Sequence, residues 1–333
     1  MAKKHNVKVC KGTFRIIGNV VGVSSDRFFK SMTFDSGASK NQCTFGLESS
    51  PKNVNYVTVD GFDGKEAWFS KWDNVLKSND IKKVAWDDRF NFSEDGYNPF
   101  FGTRIGVELD ENNKPIISTL FGYDAAQELS ATLEDGMGIY TEGQIVYTSY
   151  AKGDELKRYK NFVPQKVYAQ NKPIDFESEK FKEENRFEQE LIFMAIEQEK
   201  DPETNKATGR FILSSKIVTR DGVEDAEFII EDKSLADKIR KGLKPYNSIS
   251  VLGRLVTKVE EADTSDDDAW GDDEDMGGGN TIKFREMIIT KAYPTSIDKE
   301  SYSEEILASI TQAKDDFGDT ESDTEDGDDD VWE

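Results

Sequence analysis

The sequence predicts a mainly β chain built as two tandem five-stranded barrels, each with a short helix between its third and fourth strands. Three observations predict it. Outside two acidic blocks the chain runs in Phe-, Tyr-, Val- and Ile-rich segments of strand length. A pattern from its first half recurs in its second half. Within each copy the elements follow the order strand, strand, strand, helix, strand, strand.

Charge marks what lies outside the barrels. The formal net charge is -23, yet residues 260–279 hold ten acidic and no basic residues, and residues 315–333 hold eleven acidic and none basic. The remainder is close to neutral, with 45 acidic against 43 basic side chains. Like-charged blocks with few aliphatic residues bury too little surface to offset their ordering entropy, so both blocks are expected to be disordered. What is left suits two domains of ordinary size. No run of about 18 apolar residues is present, and "MAKKHNVKVC" lacks the apolar stretch of a signal peptide, so a cytosolic protein with no membrane partner is expected. Cys10, Cys43 and the single histidine, His5, are too few for a disulfide framework or a tetrahedral zinc site. Both cysteines are expected to be buried, idle thiols. No cofactor or metal is expected.

The repeat fixes the element order. "RYKNFVPQKVY" at 158–168 matches "KFREMIITKAY" at 283–293 at an offset of 125, aligning Arg158 with Lys283, Lys160 with Arg285, Phe162 with Met287 and Tyr168 with Tyr293. Upstream the offset is 110: "GQIVYT" from Gly143 matches "GRLVTK" from Gly253, and Ala126, Leu129 and Leu133 match Ala236, Ile239 and Leu243. Spacings of three and four are the apolar stripe of a short helix. The change of offset places fifteen extra residues in the loop between the last two strands of the second copy, where "DDDAWGDDED" sits. The upstream halves, "VKVCKGTFRIIGNVVGV" and "NVNYVTVDGFDGKEAWFSKW" in the first copy, "RFEQELIFMAIEQE", "GRFILSSKIVT" and "EDAEFIIED" in the second, read as strands between Asp-Gly and Gly-Lys turn signals.

Three strands, a helix and two strands is the order of an OB-fold, a Greek-key barrel. The expected domains are an OB-fold over 1–175 with an insertion at about 73–121, and a second over 176–300 with the acidic insertion at about 260–280. A short helix at 301–314 and an acidic tail at 315–333 follow. The 73–121 segment is longer than an ordinary connection, which marks it as functional or as a small subdomain.

OB-folds bind oligonucleotides or oligosaccharides, or serve as scaffolds, so the fold leaves function open. A single-strand site needs aromatic faces for bases and cations for phosphates. Alternation in "NVNYVTV" turns Val57 and Val59 inward and Tyr56 and Thr58 outward; in "GKEAWFSKW" either Trp68 and Trp72 or Lys65, Phe69 and Lys71 face outward. "SSDRFFKS" gathers Arg27, Phe28, Phe29 and Lys30 after the first strand. Arg158 and Lys160 compete with Tyr159 for the outer face of the fifth strand, and the cations are preferred. In the second copy Arg210, Arg254, Lys258, Lys283 and Arg285 are the matching cations. Tyr97, Phe100 and Phe101 in "GYNPFFG" either cap the barrel or form a flap over a strand. Catalysis is not indicated: "GMG" and "GGG" lack the context of a phosphate-binding loop. The acidic runs lack the spaced ligands and glycine turn of a calcium site.

The tail carries the one specific motif. The chain ends "GDDDVWE", repeating the pattern of "DDDAW" at 266–270. A barrel of this type followed by an acidic tail tipped with aspartates and an apolar residue resembles the single-stranded-DNA-binding proteins of bacteria and their phages, the two-barrel layout being closer to the phage members. The resemblance implies a non-enzymatic protein of the bacterial cytoplasm that coats single-stranded DNA in replication, recombination and repair. It also implies that Asp328, Asp329, Asp330, Val331 and Trp332 dock on replication or recombination proteins. Trp270 is a second candidate docking residue. The family tip ends in an aromatic residue and this one ends in Glu333, which favours a phage-specific partner. A different class stays open: an acidic protein whose arms mimic DNA and block a host nucleic-acid enzyme, which the near-neutral body favours.

Overall fold

The computed structural model describes residues 7–152, 155–202, 204–261 and 281–315. The chain divides into two compact units, Gly12–Thr148 with Tyr159–Phe187, and Met1–Lys11 with Ser149–Arg158 and Glu188–Glu333. The fold is mainly β.

The first unit draws on β1 (Gly12–Val21), β2 (Phe29–Thr33), β3 (Ser39–Ser50), β4 (Asn53–Phe62), β5 (Glu66–Asp73), β6 (Ser78–Ala85), β7 (Asn98–Pro99), β8 (Thr103–Gly106), β9 (Ser118–Leu120), α1 (Gly122–Thr132), β10 (Gly138–Lys152) and β11 (Glu155–Ala169). β3 pairs with β1, β2 and β4, β1 continues to β10, and β10 to β11. Alternation builds the core: Phe14, Ile16 and Val20 of β1 are buried while Arg15, Ile17 and Asn19 between them are half-buried. Phe45, Leu47, Val57, Val59 and Ile139 join them beneath Ala126 and Leu129 of α1. The helix starts hard against the end of β4. A Cβ on Gly61 would lie 2.3 Å from the Tyr123 nitrogen, and one on Gly122 would lie 2.2 Å from the Asp60 carbonyl oxygen. Only glycine at both positions lets the two backbones approach so closely.

Segment 73–121 is more than an appendage. β6 and β7 join β5, which precedes the segment, in a three-stranded sheet of their own, but β8 pairs in parallel with β11, from Lys166↔Arg104 to Tyr168↔Gly106, and β9 pairs with β8. Arg89 fixes the segment to α1, its Nε and Nη2 donating to the two carboxylate oxygens of Asp124 at 2.9 and 2.8 Å.

The second unit holds β12 (Asn185–Lys200), β13 (Ala207–Val218), β14 (Val223–Ile230), α2 (Lys233–Gly242), β15 (Ser248–Glu261), β16 (Thr281–Asp298) and α3 (Glu304–Asp315). Its strands follow the order β12-β13-β14-β16-β15 and β15 returns to β12, so the ring closes. β14 and β16 are parallel, whereas β12–β13, β13–β14 and β15–β16 are antiparallel. Beside β11 in the first unit, the place that β14 takes beside β16 is taken by β8. Helix α2 begins with the Asp232 carboxylate accepting from the Ser234 N–H at 2.7 Å, a standard N-cap. The repeat positions Ala236, Ile239 and Leu243 are buried, as are Ala126, Leu129 and Leu133. The fifteen-residue difference between the copies falls between Glu261 and Thr281, outside the described residues. Cys10 and Cys43 are buried free thiols, pushed up by burial to about 11 and about 12. No described helix is long and apolar enough to cross a membrane.

Candidate nucleic-acid interface

Strand β5, "EAWFSKWD", alternates from Glu66 to Phe69. Ala67 and Phe69 are buried; Trp68 and Trp72 are 40% and 53% exposed. Inside, Phe69 packs on Phe92 at 4.4 Å and edge-on to Phe121 at 5.3 Å, and Trp86 meets Phe121 at 5.4 Å. This aromatic cluster decides which side of β5 faces out. Register with β6 then sets Lys83 opposite Trp68, Ile81 opposite Ser70 and Asn79 opposite Trp72. The Lys83 ammonium stands 4.0 Å from the Trp68 ring centroid, a cation–π contact, and 3.4 Å from the Glu66 carboxylate. The open face of the small sheet thus carries two indoles in line, Ile81, Lys83 and the Glu66 carboxylate, which also accepts from Trp68 Nε1 at 3.2 Å. On the other side Tyr97 lies between Lys71 and Lys82, 5.8 and 4.7 Å from the two ammonium groups, with its hydroxyl on Asp80. Phe101 is 73% exposed beside Phe100.

The remaining predicted residues divide sharply. Tyr56 and Thr58 sit on the outer side of β4, with Thr58 bonded to Thr44 at 3.0 Å. Lys30 of β2 lies opposite Gln42. Arg27 and Lys30 are exposed and Phe29 half-buried. Phe28 is a correction: it is 8% exposed and belongs to the core. Its N–H closes a turn on the Ser25 carbonyl and its own carbonyl accepts from the Thr44 N–H, 2.9 and 2.8 Å, which fixes the backbone with the ring inward. Arg210 is a second correction. It is clamped by Glu286 at 2.6 Å and Glu199 at 3.5 Å, and its side chain is only 19% exposed, so it serves the barrel wall. Arg254 is exposed but paired with Glu231 at 2.8 Å, and Arg158 shares Asp225 with Lys216. Lys160 and Arg285 are half-buried. Lys258 and Lys283 face Phe284 and Val259 in the β15–β16 ladder, and their side chains lie outside the description. Trp270, Asp328, Asp329, Asp330, Val331 and Trp332 lie outside the described residues. Among the described residues no group of three or more His, Cys, Asp or Glu is arranged to hold a metal ion.

Residues 71–325 match the family model described as YorF. The chain belongs to the YorF family. No curated protein matches it. Two solved structures are similar at low level: a deletion mutant of the single-stranded DNA binding protein from Thermus aquaticus, 11% identical over 89% of this chain and 98% of that one with a TM-score of 0.41, and the wild-type protein, 12% identical over 86% and 93% with a TM-score of 0.41. A likeness this low carries no functional weight, and the side chains must.

Sequence reasoning missed one group of residues in this YorF-family chain. Across β1, β10, β11 and β8, ladder register lines up Arg15 with Glu142, and Lys166 with Arg104; two residues along, it pairs Ile17 with Tyr140, and Tyr168 with Gly106. Glu142 accepts from Lys166 and Tyr140 and lies 3.3 Å from Arg15. Hydrogen bonds from Lys166 and Tyr140, with the charges of Lys166 and Arg15, outweigh burial and hold its carboxyl below the usual range. Burial, and then the bond to Glu142, push the Tyr140 phenol up to about 12. The Tyr140 and Tyr168 rings stack at 6.2 Å and 16°. The signal was present: in "GIYTEG" Ile139 and Thr141 are fully buried, which turns Tyr140 and Glu142 outward.

Proposed function

We propose that this chain is a non-enzymatic single-stranded-DNA-binding protein of two OB-folds that coats strands exposed during replication, recombination or repair, in a phage setting, and recruits partner proteins through its Asp-rich, Trp-bearing segments. One observation carries the reading: Trp68 and Trp72 stand exposed on one sheet face whose underside is locked by the Phe69 cluster, with Lys83 at the first ring. Flat, sequence-indifferent rings are what stacked bases require, and a phosphate would compete with Glu66 for Lys83. The closed five-strand ring of the second unit, with its parallel β14–β16 pair and helix α2 before β15, supports the OB-fold assignment.

Fluorescence tests it. Poly(dT) should quench the tryptophans and salt should reverse the quenching. Because stacking contributes roughly 1 to 3 kcal/mol per base, Trp68→Ala with Trp72→Ala should weaken binding about tenfold or more at unchanged melting temperature. Absence of quenching at low salt, in a chain lacking residues 316–333, would overturn the reading and leave the DNA-mimic alternative.

A further inference from the structure

Where β10 meets β11 in the first unit, a pocket of about 550 Å³ opens between the stacked tyrosines and the segment that follows β11. Its volume lies in the range of small-molecule sites, roughly 300–1,000 Å³. Tyr140 and Tyr168 form one wall, Pro115 and Ile174 supply apolar surface, and Gln170 and Lys172 lie at the rim.

The wall opposite the rings is fixed. The Gln170 N–H donates to the Gly138 carbonyl at 2.7 Å. Asn19 clamps Ile174 from both sides, its Oδ1 accepting from the Ile174 N–H at 2.7 Å and its Nδ2 donating to the Ile174 carbonyl at 2.9 Å. A pocket with pinned walls does not have to be assembled at the expense of binding energy.

Charge defines the occupant. Arg15 and Lys166 are both satisfied by Glu142. Arg104, with its guanidinium carbon 5.9 Å from the Tyr168 centroid, and Lys172 are exposed and have no carboxylate partner among the described residues. The site therefore offers flat aromatic surface with one uncompensated cation in its lining, Lys172, and a second, Arg104, outside the lining but against the Tyr168 ring. That pairing suits a planar ring carrying an anionic group. The Tyr168 hydroxyl is buried without a hydrogen-bond partner, so its ring, and not its oxygen, is the part available to a ligand.

We propose that this pocket binds one nucleotide, its base against Tyr140 and Tyr168 and its phosphate on Lys172 and Arg104. The chemistry is shared by a free nucleotide and by a single nucleotide of a DNA strand, and only the second source rests on the function proposed above.

The test uses the full chain with thymidine monophosphate, thymidine, inorganic phosphate and oligo(dT), read by saturation-transfer NMR and calorimetry. The monophosphate should bind at one site per chain, about tenfold more tightly than thymidine, and inorganic phosphate should compete only weakly. Tyr168→Phe should bind as the parent does, Tyr168→Leu should lose at least tenfold, and Arg104→Ala with Lys172→Ala should reduce the monophosphate to the affinity of thymidine. The latter two side chains are exposed, so this variant decides the matter if Tyr168→Leu does not fold. Displacement of the monophosphate by one equivalent of oligo(dT) assigns the pocket to a nucleotide of a strand; no displacement assigns it to the free nucleotide. No saturable monophosphate signal, or a signal indifferent to Arg104→Ala with Lys172→Ala, overturns the proposal. Quenching of Trp68 and Trp72 by oligo(dT) in the same samples reports separately on DNA binding, so the two readings fail independently.

Discussion

Arg89 shows how much one side chain holds. It is 12% exposed, meets Asp124 through two hydrogen bonds, donates to the Trp86 carbonyl at 2.8 Å and lies against the rings of Trp86 and Phe90. Replacing it by Ala leaves Asp124, 8% exposed, as an uncompensated buried charge, so Arg89→Ala should cost about 3 to 5 kcal/mol in urea unfolding. A loss near zero would mean that the carboxylate reaches water. Glu142 gives a pH-dependent case. Its folded pKa is lowered, chiefly by the Lys166 hydrogen bond, so it contributes stability that is present above the unfolded carboxylate value of about 4.3 and is lost as pH falls through the folded value. Glu142→Gln should therefore be less stable than the parent at pH 7, and the gap should close below about pH 4; a gap that persists in acid would assign the effect to packing. At this scale the sequence was readable where alternation was strong, as at Tyr56, left open which side of β5 faces out at Trp68 and Trp72, and was unreadable where a partner far along the chain decides. Nothing near Arg210 announces that Glu286 and Glu199 claim it, and nothing in "RFFK" says which phenylalanine the Thr44 backbone turns inward.

At the scale of elements, the repeat was legible because both copies must solve one packing problem. Gly143 is an example: a Cβ there would sit 2.0 Å from the Val163 carbonyl oxygen, and the aligned Gly253 falls at a register shift in the β15–β16 ladder. Gly143 marks a close approach of two strands and Gly253 a register shift, at aligned places in the two copies. The role of β8 was not legible. Four residues, "TRIG", are too short to show a period, and their pairing with β11 closes a loop of about sixty residues that no local signal records. Segment 73–121 consequently reads as a detachable subdomain in sequence, whereas its last strands complete the sheet of the first unit. Ile105, 3% exposed on β8, tests this. Ile105→Ala should cost about 2 to 4 kcal/mol, as a core truncation does, and should lower the melting of the unit that carries Tyr140 and Tyr168. Melting unchanged within about 0.5 kcal/mol would return β8 to the status of a surface strand.

For the whole molecule the governing quantity is where the charge lies. Residues 262–280 and 316–333 contribute eight and ten acidic side chains and no basic one, out of a net charge of -23. On the described surface some cations are paired with carboxylates, Arg15, Arg158, Lys166 and Arg254 among them, while many others, Arg27, Lys30, Arg104 and Lys172 included, stand without such a partner. A polyanionic segment joined covalently to a surface that carries such unpaired cations competes with any other polyanion for them at high effective concentration. Deleting residues 316–333 should therefore raise single-stranded-DNA affinity at low salt, and deleting residues 262–280 as well should raise it further. The gain should shrink as ionic strength approaches 0.1 M and the Debye length falls to about 10 Å, because the competing contacts are exposed and screened. Fluorescence titrations of the three chains against poly(dT) across a salt series measure it. Equal affinities at low salt would show that the acidic segments do not compete. The repeated "DDDxW" pattern would then be a solubility device or chance, unless Trp332→Ala separately abolishes recruitment of a partner protein.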